Sequence, residues 1–245
     1  MKIEADAALV TRPREDAADL AMELQRRGYR TVIEPMLRIV FRSGPPLERH
    51  GLQGILLTSA NGARALADRL GGAIAAWREL PVWAVGEASA AVARAEGFTR
   101  VESADGDVAA LAELVSQQAD PGAGRLLQAA AASLAGDLAG DLARRGFAVE
   151  KQVLYDALPA ERLSEAAGRE LAQGRVALAL FFSPRTASTF VRLAEAAGLA
   201  GQCAGATAVA LSPAVAAALA GLPWRRMVVA DRPRQSALLA ALDGV

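Results

Sequence analysis

The chain has 245 residues, of which 53% are hydrophobic, and its 27 basic and 27 acidic side chains give a formal net charge of zero. This balance gives no reason to expect a nucleic-acid-binding or membrane-surface protein. No apolar stretch approaches the roughly 20 residues of a bilayer-spanning helix, and the N-terminus lacks the apolar region of a signal peptide. We therefore expect a cytoplasmic protein. Its one cysteine, Cys203, excludes an intrachain disulfide and a multi-cysteine metal site.

The first predicted element is a strand at residues 7–10, followed by a polar turn and a helix that ends at Gly28. An extended segment over residues 31–40 then contains Pro35. Because a sheet tolerates proline only at an edge or a break, we interpret this segment as a strand that leaves one domain and continues into another.

Strands and helices alternate through the rest of the chain. The strands are predicted at residues 55–58, 81–85, 99–103, 125–128, 149–157, 176–182, 208–211 and 227–230. The run at 176–182 is uniformly apolar, as in strands buried on both faces of a parallel sheet. A helix over 134–145 is predicted after the strand at 125–128.

The two halves of the chain resemble each other. Arg145-Gly146-Phe147 matches Arg27-Gly28-Tyr29 at a shift of 118 residues (146 − 28), and Ser183 matches Ser59 at a shift of 124 (183 − 59). We infer an internal duplication that gives two α/β domains, each a parallel sheet with helices on both faces, and a cleft between them. The repeat leaves open whether the first strand and helix pack with the residues that follow them or with the C-terminal residues.

Polar or turn-forming residues follow the predicted strands, at the sheet edge where open α/β proteins bind ligands. Several helix N-termini and a few arginines at this edge suit an anionic ligand, although any helix start also needs a cap. The candidate binding residues are Thr11, Arg12, Pro13, Arg14, Thr58, Ser59, Ala60, Asn61, Gly86, Glu87, Ser183, Pro184, Arg185, Thr186 and Ser212.

Familiar catalytic sets are not found in the sequence. The only histidine, His50, lies in a polar loop, and neither a Walker loop nor a dinucleotide-binding glycine motif occurs. Tyr155 is of greater interest, because the residue that matches it in the other repeat is Leu37. It can be an amphipathic strand residue, or a hydroxyl at the domain cleft that is able to donate a proton.

Taken together, these features resemble the uroporphyrinogen-III synthase family. The resemblance runs through the whole chain, in the order Val10-Thr11-Arg12-Pro13, Leu57-Thr58-Ser59-Ala60-Asn61, Ala84-Val85-Gly86-Glu87-Ala88, Ala135-Gly136-Asp137-Leu138, Val153-Leu154-Tyr155, Phe182-Ser183-Pro184-Arg185-Thr186-Ala187 and Arg232-Pro233. It implies two flavodoxin-like domains joined by a two-stranded β linker. The implied limits are 1–34 with 159–245 for one domain, 41–151 for the other, and linkers at 35–40 and 152–158.

The resemblance also implies a hydro-lyase of heme biosynthesis. Such an enzyme cyclises linear hydroxymethylbilane to uroporphyrinogen III, inverting ring D and losing water, with Tyr155 assisting departure of the hydroxyl. It implies a monomer without a metal or organic cofactor, which binds the substrate by its carboxylates in the cleft and makes at most transient contacts with neighbouring pathway enzymes. Neither nucleic acid nor membrane is expected as a partner.

The chain departs from the family pattern after its strand at 125–128. Many members have a polar, often arginine-containing turn there, whereas this chain has Gln128 followed by four alanines, Ala129 to Ala132. An arginine introduced at Ala130 is expected to tighten substrate binding if that turn lines the cleft. The alternative function is a non-catalytic two-domain homologue that binds a tetrapyrrole or another small anionic ligand.

Overall fold

The computed structural model describes residues 6–132 and 136–243, which divide into two compact units. Unit 1 comprises the chain up to Arg38 and from Leu158 onward, and unit 2 comprises Ile39–Ala157. The described strands are β1 (Ala7–Val10), β2 (Arg30–Ile33), β3 (Leu37–Phe41), β4 (Leu52–Leu57), β5 (Val82–Ala84), β6 (Val101–Ser103), β7 (Arg125–Ala131), β8 (Val149–Pro159), β9 (Val176–Phe181), β10 (Thr207–Ala210) and β11 (Arg226–Val229).

The described helices alternate with these strands. They are α1 (Ala18–Arg26), α2 (Ala60–Leu70), α3 (Glu87–Ala95), α4 (Val108–Gln118), α5 (Leu138–Arg144), α6 (Glu165–Ala172), α7 (Pro184–Ala196), α8 (Pro213–Leu219) and α9 (Gln235–Ala240). Within the described ranges no helix is long and apolar enough to cross a membrane.

Unit 1 contains a five-stranded parallel sheet in the order β11-β10-β9-β1-β2. Numbered along the chain, this is the flavodoxin-like order 2-1-3-4-5, in which the strand order reverses between β1 and β9. These two central strands are almost entirely apolar and buried, because helices cover both faces of the sheet. Phe181 packs edge-on against Phe190 and Trp224, with ring centroids 5.2 and 5.9 Å away.

Unit 2 contains a six-stranded sheet in the order β3-β8-β7-β4-β5-β6. Its five strands other than the edge strand β3 pair in parallel. In space they follow the same order as the strands of unit 1. The first of these five strands in the chain, β4, however, occupies the third position of that order. The reversal point therefore lies between β7 and β4. The predicted fold class, an α/β fold with parallel flavodoxin-like sheets, is confirmed, whereas the duplication and the linker limits stay predictions.

The extended segment over residues 31–40 is divided between the two sheets. It forms β2 in the sheet of unit 1 and β3 in the sheet of unit 2. The interruption between these strands contains Pro35, which has no backbone N–H to donate to a ladder.

The strand predicted at 125–128 is longer than the sequence suggested, and the placement of Ala129, Ala130 and Ala131 in a turn was wrong. These alanines continue β7, where all three pair with β8 and Ala129 also pairs with β4. Their small side chains fit a central strand with covered faces, and this burial outweighs the low intrinsic preference of alanine for strands. Ala130 is 0% exposed, so an arginine there would bury a charge rather than extend a binding turn.

Two helices also differ from the prediction. The helix predicted over 134–145 begins at Leu138. Its N-cap is Asp137, whose side chain accepts a hydrogen bond from Gly140 N. Residues 134 and 135 of that prediction, and Ala135 of the family motif, lie outside the described residues. Helix α6 was not predicted, although Ser164 caps it and the carboxylate of Glu34 accepts hydrogen bonds from the Ser164 N–H and hydroxyl.

Candidate functional site

The candidate site of unit 2 is a hydrogen bond between two hydroxyls at the carboxyl end of the sheet. Ser59 follows β4, and its Oγ lies 2.7 Å from the hydroxyl oxygen of Tyr155 in β8. Tyr155 is opposite Ala131 in the neighbouring strand β7, and its carbonyl accepts a hydrogen bond from Ala132 N. The pair therefore lies beside the reversal point between β7 and β4, where open α/β sheets bind their ligands.

Helix α2 fixes the position of Ser59. Ser59 is its N-cap, with extended backbone angles, and its Oγ accepts a 3.0 Å hydrogen bond from Gly62 N. Gly62 lies against β7, since a Cβ at this position would be 3.0 Å from the carbonyl oxygen of Ala129. The absence of a side chain at residue 62 thus lets the first turn of α2 approach the strand next to Tyr155.

Tyr155 has little contact with solvent. It is 5% exposed and packs in a core cluster of unit 2 with Leu154, Ala129 and Ala131. Burial raises the pKa of the Tyr155 phenol above its ordinary value, and the hydrogen bond with Ser59 partly opposes this rise. Because the ordinary pKa of a tyrosine phenol already lies well above neutrality, the hydroxyl is protonated at neutral pH, as a proton donor must be.

The other candidate residues of unit 2 lie on the first turns of α2 and α3 or next to them. Thr58 and Ala60 flank Ser59 in partly buried positions, and Asn61 accepts a 3.1 Å hydrogen bond from Arg64. Gly86 is the N-cap of α3 and has no side chain with which to cap the helix, and the exposed Glu87 pairs with Arg94 at 2.6 Å. These helix starts offer N–H donors at the same sheet edge.

The candidate site of unit 1 lies at the ends of β1 and β9. Thr11 is fully buried, and its hydroxyl donates a 2.6 Å hydrogen bond to the carbonyl of Leu180, which ties the two central strands together. Ser183 caps α7 in a reciprocal capping box with Thr186, and Pro184 is the first helical residue, as predicted. Thr11 and Thr186 therefore position the strand ends rather than present free hydroxyls.

Arg12 is held in place by two neighbours that the sequence did not single out. Its Nη1 donates a 2.6 Å hydrogen bond to Oε1 of Gln235, the first residue of α9. Its guanidinium carbon lies 4.4 Å from the centroid of the Phe182 ring. A stacked, hydrogen-bonded guanidinium is a pre-organised donor for carboxylates.

The remaining candidates of unit 1 are spread more widely. Pro13 is partly buried after Arg12, and Arg14 lines a cavity of about 730 Å³ together with Glu34 and Ser164. Arg185 is exposed on the first turn of α7. Ser212 caps α8 by accepting a hydrogen bond from Val215 N.

Gln128 is an unexpected feature of the segment in which this chain departs from the family pattern. Its side chain is 1% exposed, and its amide oxygen has no hydrogen-bond partner among the residues described.

No group of three or more His, Cys, Asp or Glu side chains in the described ranges could hold a metal ion. The single cysteine, Cys203, is buried, which raises the pKa of its thiol to about 11.

Comparison with known proteins agrees with this fold. A search of curated proteins found no match. The uroporphyrinogen-III synthetase of Helicobacter pylori is 16% identical over 98% of this chain and 99% of that chain, with a TM-score of 0.66. A mutant uroporphyrinogen III synthase of the extremely thermophilic bacterium Thermus thermophilus is 18% identical over 98% and 97%, with a TM-score of 0.56. These structures share the fold of this chain.

The family model gives the more specific result. It is described as uroporphyrinogen-III synthase HemD, and it matches residues 18–240, which is most of the chain and includes both hydroxyls of the Ser59–Tyr155 pair. The chain belongs to the uroporphyrinogen-III synthase family.

Proposed function

We propose that the protein is an active uroporphyrinogen-III synthase, a hydro-lyase that converts linear hydroxymethylbilane into uroporphyrinogen III. The observation that carries this proposal is the Tyr155 hydroxyl, which is buried and bonded to Ser59 at the ligand-binding edge of its sheet. A hydroxyl in this position can act as a proton donor to a bound substrate.

The substrate is held by its acetate and propionate groups. In unit 1, Arg12 supplies a charged donor that Phe182 and Gln235 hold in one orientation. The first turns of α2, α3 and α7 supply backbone N–H groups, which favour carboxylates through hydrogen bonding and the helix dipole. Because these donors are dispersed and mostly uncharged, binding of an anionic substrate does not require a basic protein.

The reaction starts with proton transfer. Tyr155 donates its proton to the hydroxyl of hydroxymethylbilane and becomes a phenolate, water leaves, and an electrophilic azafulvenium cation remains. Ring D attacks it through its substituted carbon to give a spiro intermediate, and fragmentation with reclosure leaves that ring inverted. The pyrrole carbon then releases a proton, which restores Tyr155, so that one water is lost and no electrons are exchanged with another molecule.

The test is a product assay. Freshly made hydroxymethylbilane is supplied to the protein, the products are oxidised, and isomers I and III are separated by chromatography. We expect isomer III in excess, and a Tyr155→Phe variant should lower kcat by about 100-fold or more, as for the loss of a positioned general acid. Isomer I alone, as forms without enzyme, would leave a non-catalytic homologue that binds a tetrapyrrole or another small anionic ligand.

A further inference from the structure

The hydroxyl of Ser59 is placed between a helix terminus and the hydroxyl of Tyr155. Its Oγ accepts a hydrogen bond from Gly62 N at 3.0 Å, and it lies 2.7 Å from the Tyr155 oxygen. A serine hydroxyl has one proton and two acceptor lone pairs. One lone pair is occupied by the helix N–H, so two arrangements of the second hydrogen bond remain.

In the first arrangement Ser59 donates to the Tyr155 oxygen, and the tyrosine proton stays available. In the second arrangement Tyr155 donates to Ser59, and the tyrosine proton is occupied. The first forms a head-to-tail chain from Gly62 N–H through Ser59 to Tyr155, in which each hydrogen bond polarises the next. The positive end of the α2 dipole favours the same direction, because it increases the donor strength of Ser59 toward an oxygen that gains negative charge.

The geometry points to Ser59 as the positioning residue of the proton donor. Its hydroxyl donates to the Tyr155 oxygen, directs the tyrosine proton toward the substrate, and stabilises the phenolate that remains after proton transfer. This inference deepens the proposed function and rests on it, because it concerns the same Tyr155 proton. It gives Ser59 a role in the chemistry beyond contact with a substrate carboxylate.

The effect of Ser59 on the pKa of Tyr155 can be separated from the effects of charged side chains. Burial raises the pKa of Tyr155 and the Ser59 hydrogen bond lowers it. Asp156, the next residue in β8, is already paired with Arg42 through both carboxylate oxygens. A change in the pKa of Tyr155 after substitution of Ser59 therefore reports on this one hydrogen bond.

Donation from Ser59 to the Tyr155 phenolate can be tested without any turnover. The chain has two tyrosines, so a Tyr29→Phe variant leaves Tyr155 as the only phenol. In this background the absorbance of tyrosinate is followed against pH, while circular dichroism verifies that the protein stays folded. We expect Ser59→Ala to raise the pKa of Tyr155, because a donor to the phenolate is lost. A lowered or unchanged pKa would mean that Ser59 does not donate to the Tyr155 phenolate, and the inference would be overturned.

Two further variants separate this effect from helix capping. Ser59→Thr keeps both the cap and the hydroxyl, so the pKa of Tyr155 should return toward that of the unsubstituted protein. Asp107→Ala removes the N-cap of α4, a helix of the same length in the same unit, without touching Tyr155. It should weaken the fold as Ser59→Ala does and leave the pKa of Tyr155 unchanged; a rise in this control would assign the effect to lost capping.

Turnover provides a second readout at neutral pH. Ser59→Ala should lower kcat by on the order of 10- to 100-fold with little change in KM, as for loss of one hydrogen bond to a developing charge. Ser59→Thr should recover most of the activity. A loss confined to KM, or an equal loss for Ala and Thr, would make Ser59 a binding residue only. If the unsubstituted protein forms no isomer III, the titration still decides whether Ser59 donates to the Tyr155 phenolate.

Discussion

Arg42 donates two hydrogen bonds to Asp156, from Nε at 2.7 Å to one carboxylate oxygen and from Nη2 at 2.9 Å to the other. Arg42 follows the edge strand β3, and Asp156 is next to Tyr155 in β8. This ion pair therefore joins the edge of the unit 2 sheet to the strand that carries the candidate proton donor.

The Arg42–Asp156 pair predicts a measurable titration. The hydrogen bonds from Arg42 lower the pKa of Asp156, so the contribution of the pair is present above the ordinary aspartate pKa and disappears as the pH falls through the lowered one. We expect Arg42→Gln to return the pKa of Asp156 toward its ordinary range, measured by carboxyl NMR. The control is Arg38→Gln, which replaces an exposed arginine of β3 and should leave the pKa of Asp156 unchanged.

Glu170 predicts a pH-dependent loss of stability in unit 1. Its side chain is 11% exposed and accepts hydrogen bonds from Arg175 at 2.9 and 3.0 Å and from Arg30. The Arg175 bonds lower the pKa of Glu170, burial opposes them, and Arg30 lowers it further. Glu170→Gln should decrease the free energy of unfolding by about 1–2 kcal/mol near neutral pH, since both arginines are partly exposed.

Urea unfolding of the Glu170 variant at two pH values is the corresponding measurement. Because the pKa is lowered on folding, the difference from the unsubstituted protein should diminish as the pH falls below the ordinary glutamate pKa. Glu165→Gln on the same helix is the control, as this 92% exposed carboxylate pairs with the exposed Arg169 and should change stability by about 0.5 kcal/mol or less. Equal losses of unfolding free energy at neutral and acidic pH would contradict the assignment of this stability to the ionised carboxylate of Glu170.

Substitution by alanine should have opposite effects on stability at two glycines, one inside α6 and one just after it. Gly168 lies inside α6 with nothing within 4 Å of an added Cβ, so Gly168→Ala should stabilise the protein by up to about 1 kcal/mol. Gly174 follows the same helix with φ at +63° and equally open surroundings, so Gly174→Ala should destabilise it by about 1 kcal/mol through backbone strain alone. The shift in the urea midpoint measures both; shifts of the same sign would refute the backbone argument.

Arg12 predicts a specific effect on substrate binding. Arg12→Lys keeps the charge but cannot reproduce the planar contact with Phe182 together with the hydrogen bond to Gln235. We expect KM for hydroxymethylbilane to rise on the order of 10-fold with a smaller change in kcat, as for one weakened charged hydrogen bond. Arg144→Lys, which alters an exposed arginine paired with Asp141 in α5, should leave both constants unchanged.

The sequence predicted the elements whose signals are local. The apolar run at β9 and the Ser183-Pro184 start of α7 agree with the structure because strand burial and helix capping depend on adjacent residues. The end of β7 was misplaced because four alanines are compatible with strand, turn or helix. Only pairing with the neighbouring strands, with β8 for all three and with β4 for the first, determines that the first three alanines continue the sheet.

The candidate site was predicted only in parts. Ser59 and Tyr155 were both selected, but their hydrogen bond depends on the pairing of β8 with β7 and on the close approach of Gly62, which are tertiary features. Phe182 and Gln235 were missed because neither residue type signals binding by itself. They hold Arg12 only because α9 begins beside the end of β1 in the folded sheet.

The strand order of unit 1 has a consequence for synthesis of the protein on the ribosome. Thr11 bonds to Leu180, a residue 169 positions later, so β1 and its neighbour β9 leave the ribosome far apart in time. The strands of unit 2 are all made in the interval, and that unit can complete its sheet while β1 can pair only with β2 and still lacks its neighbour β9. In the growing chain the sheet of unit 2 can therefore be complete before that of unit 1, and β1 gains its second neighbour only after the whole of unit 2 has been made.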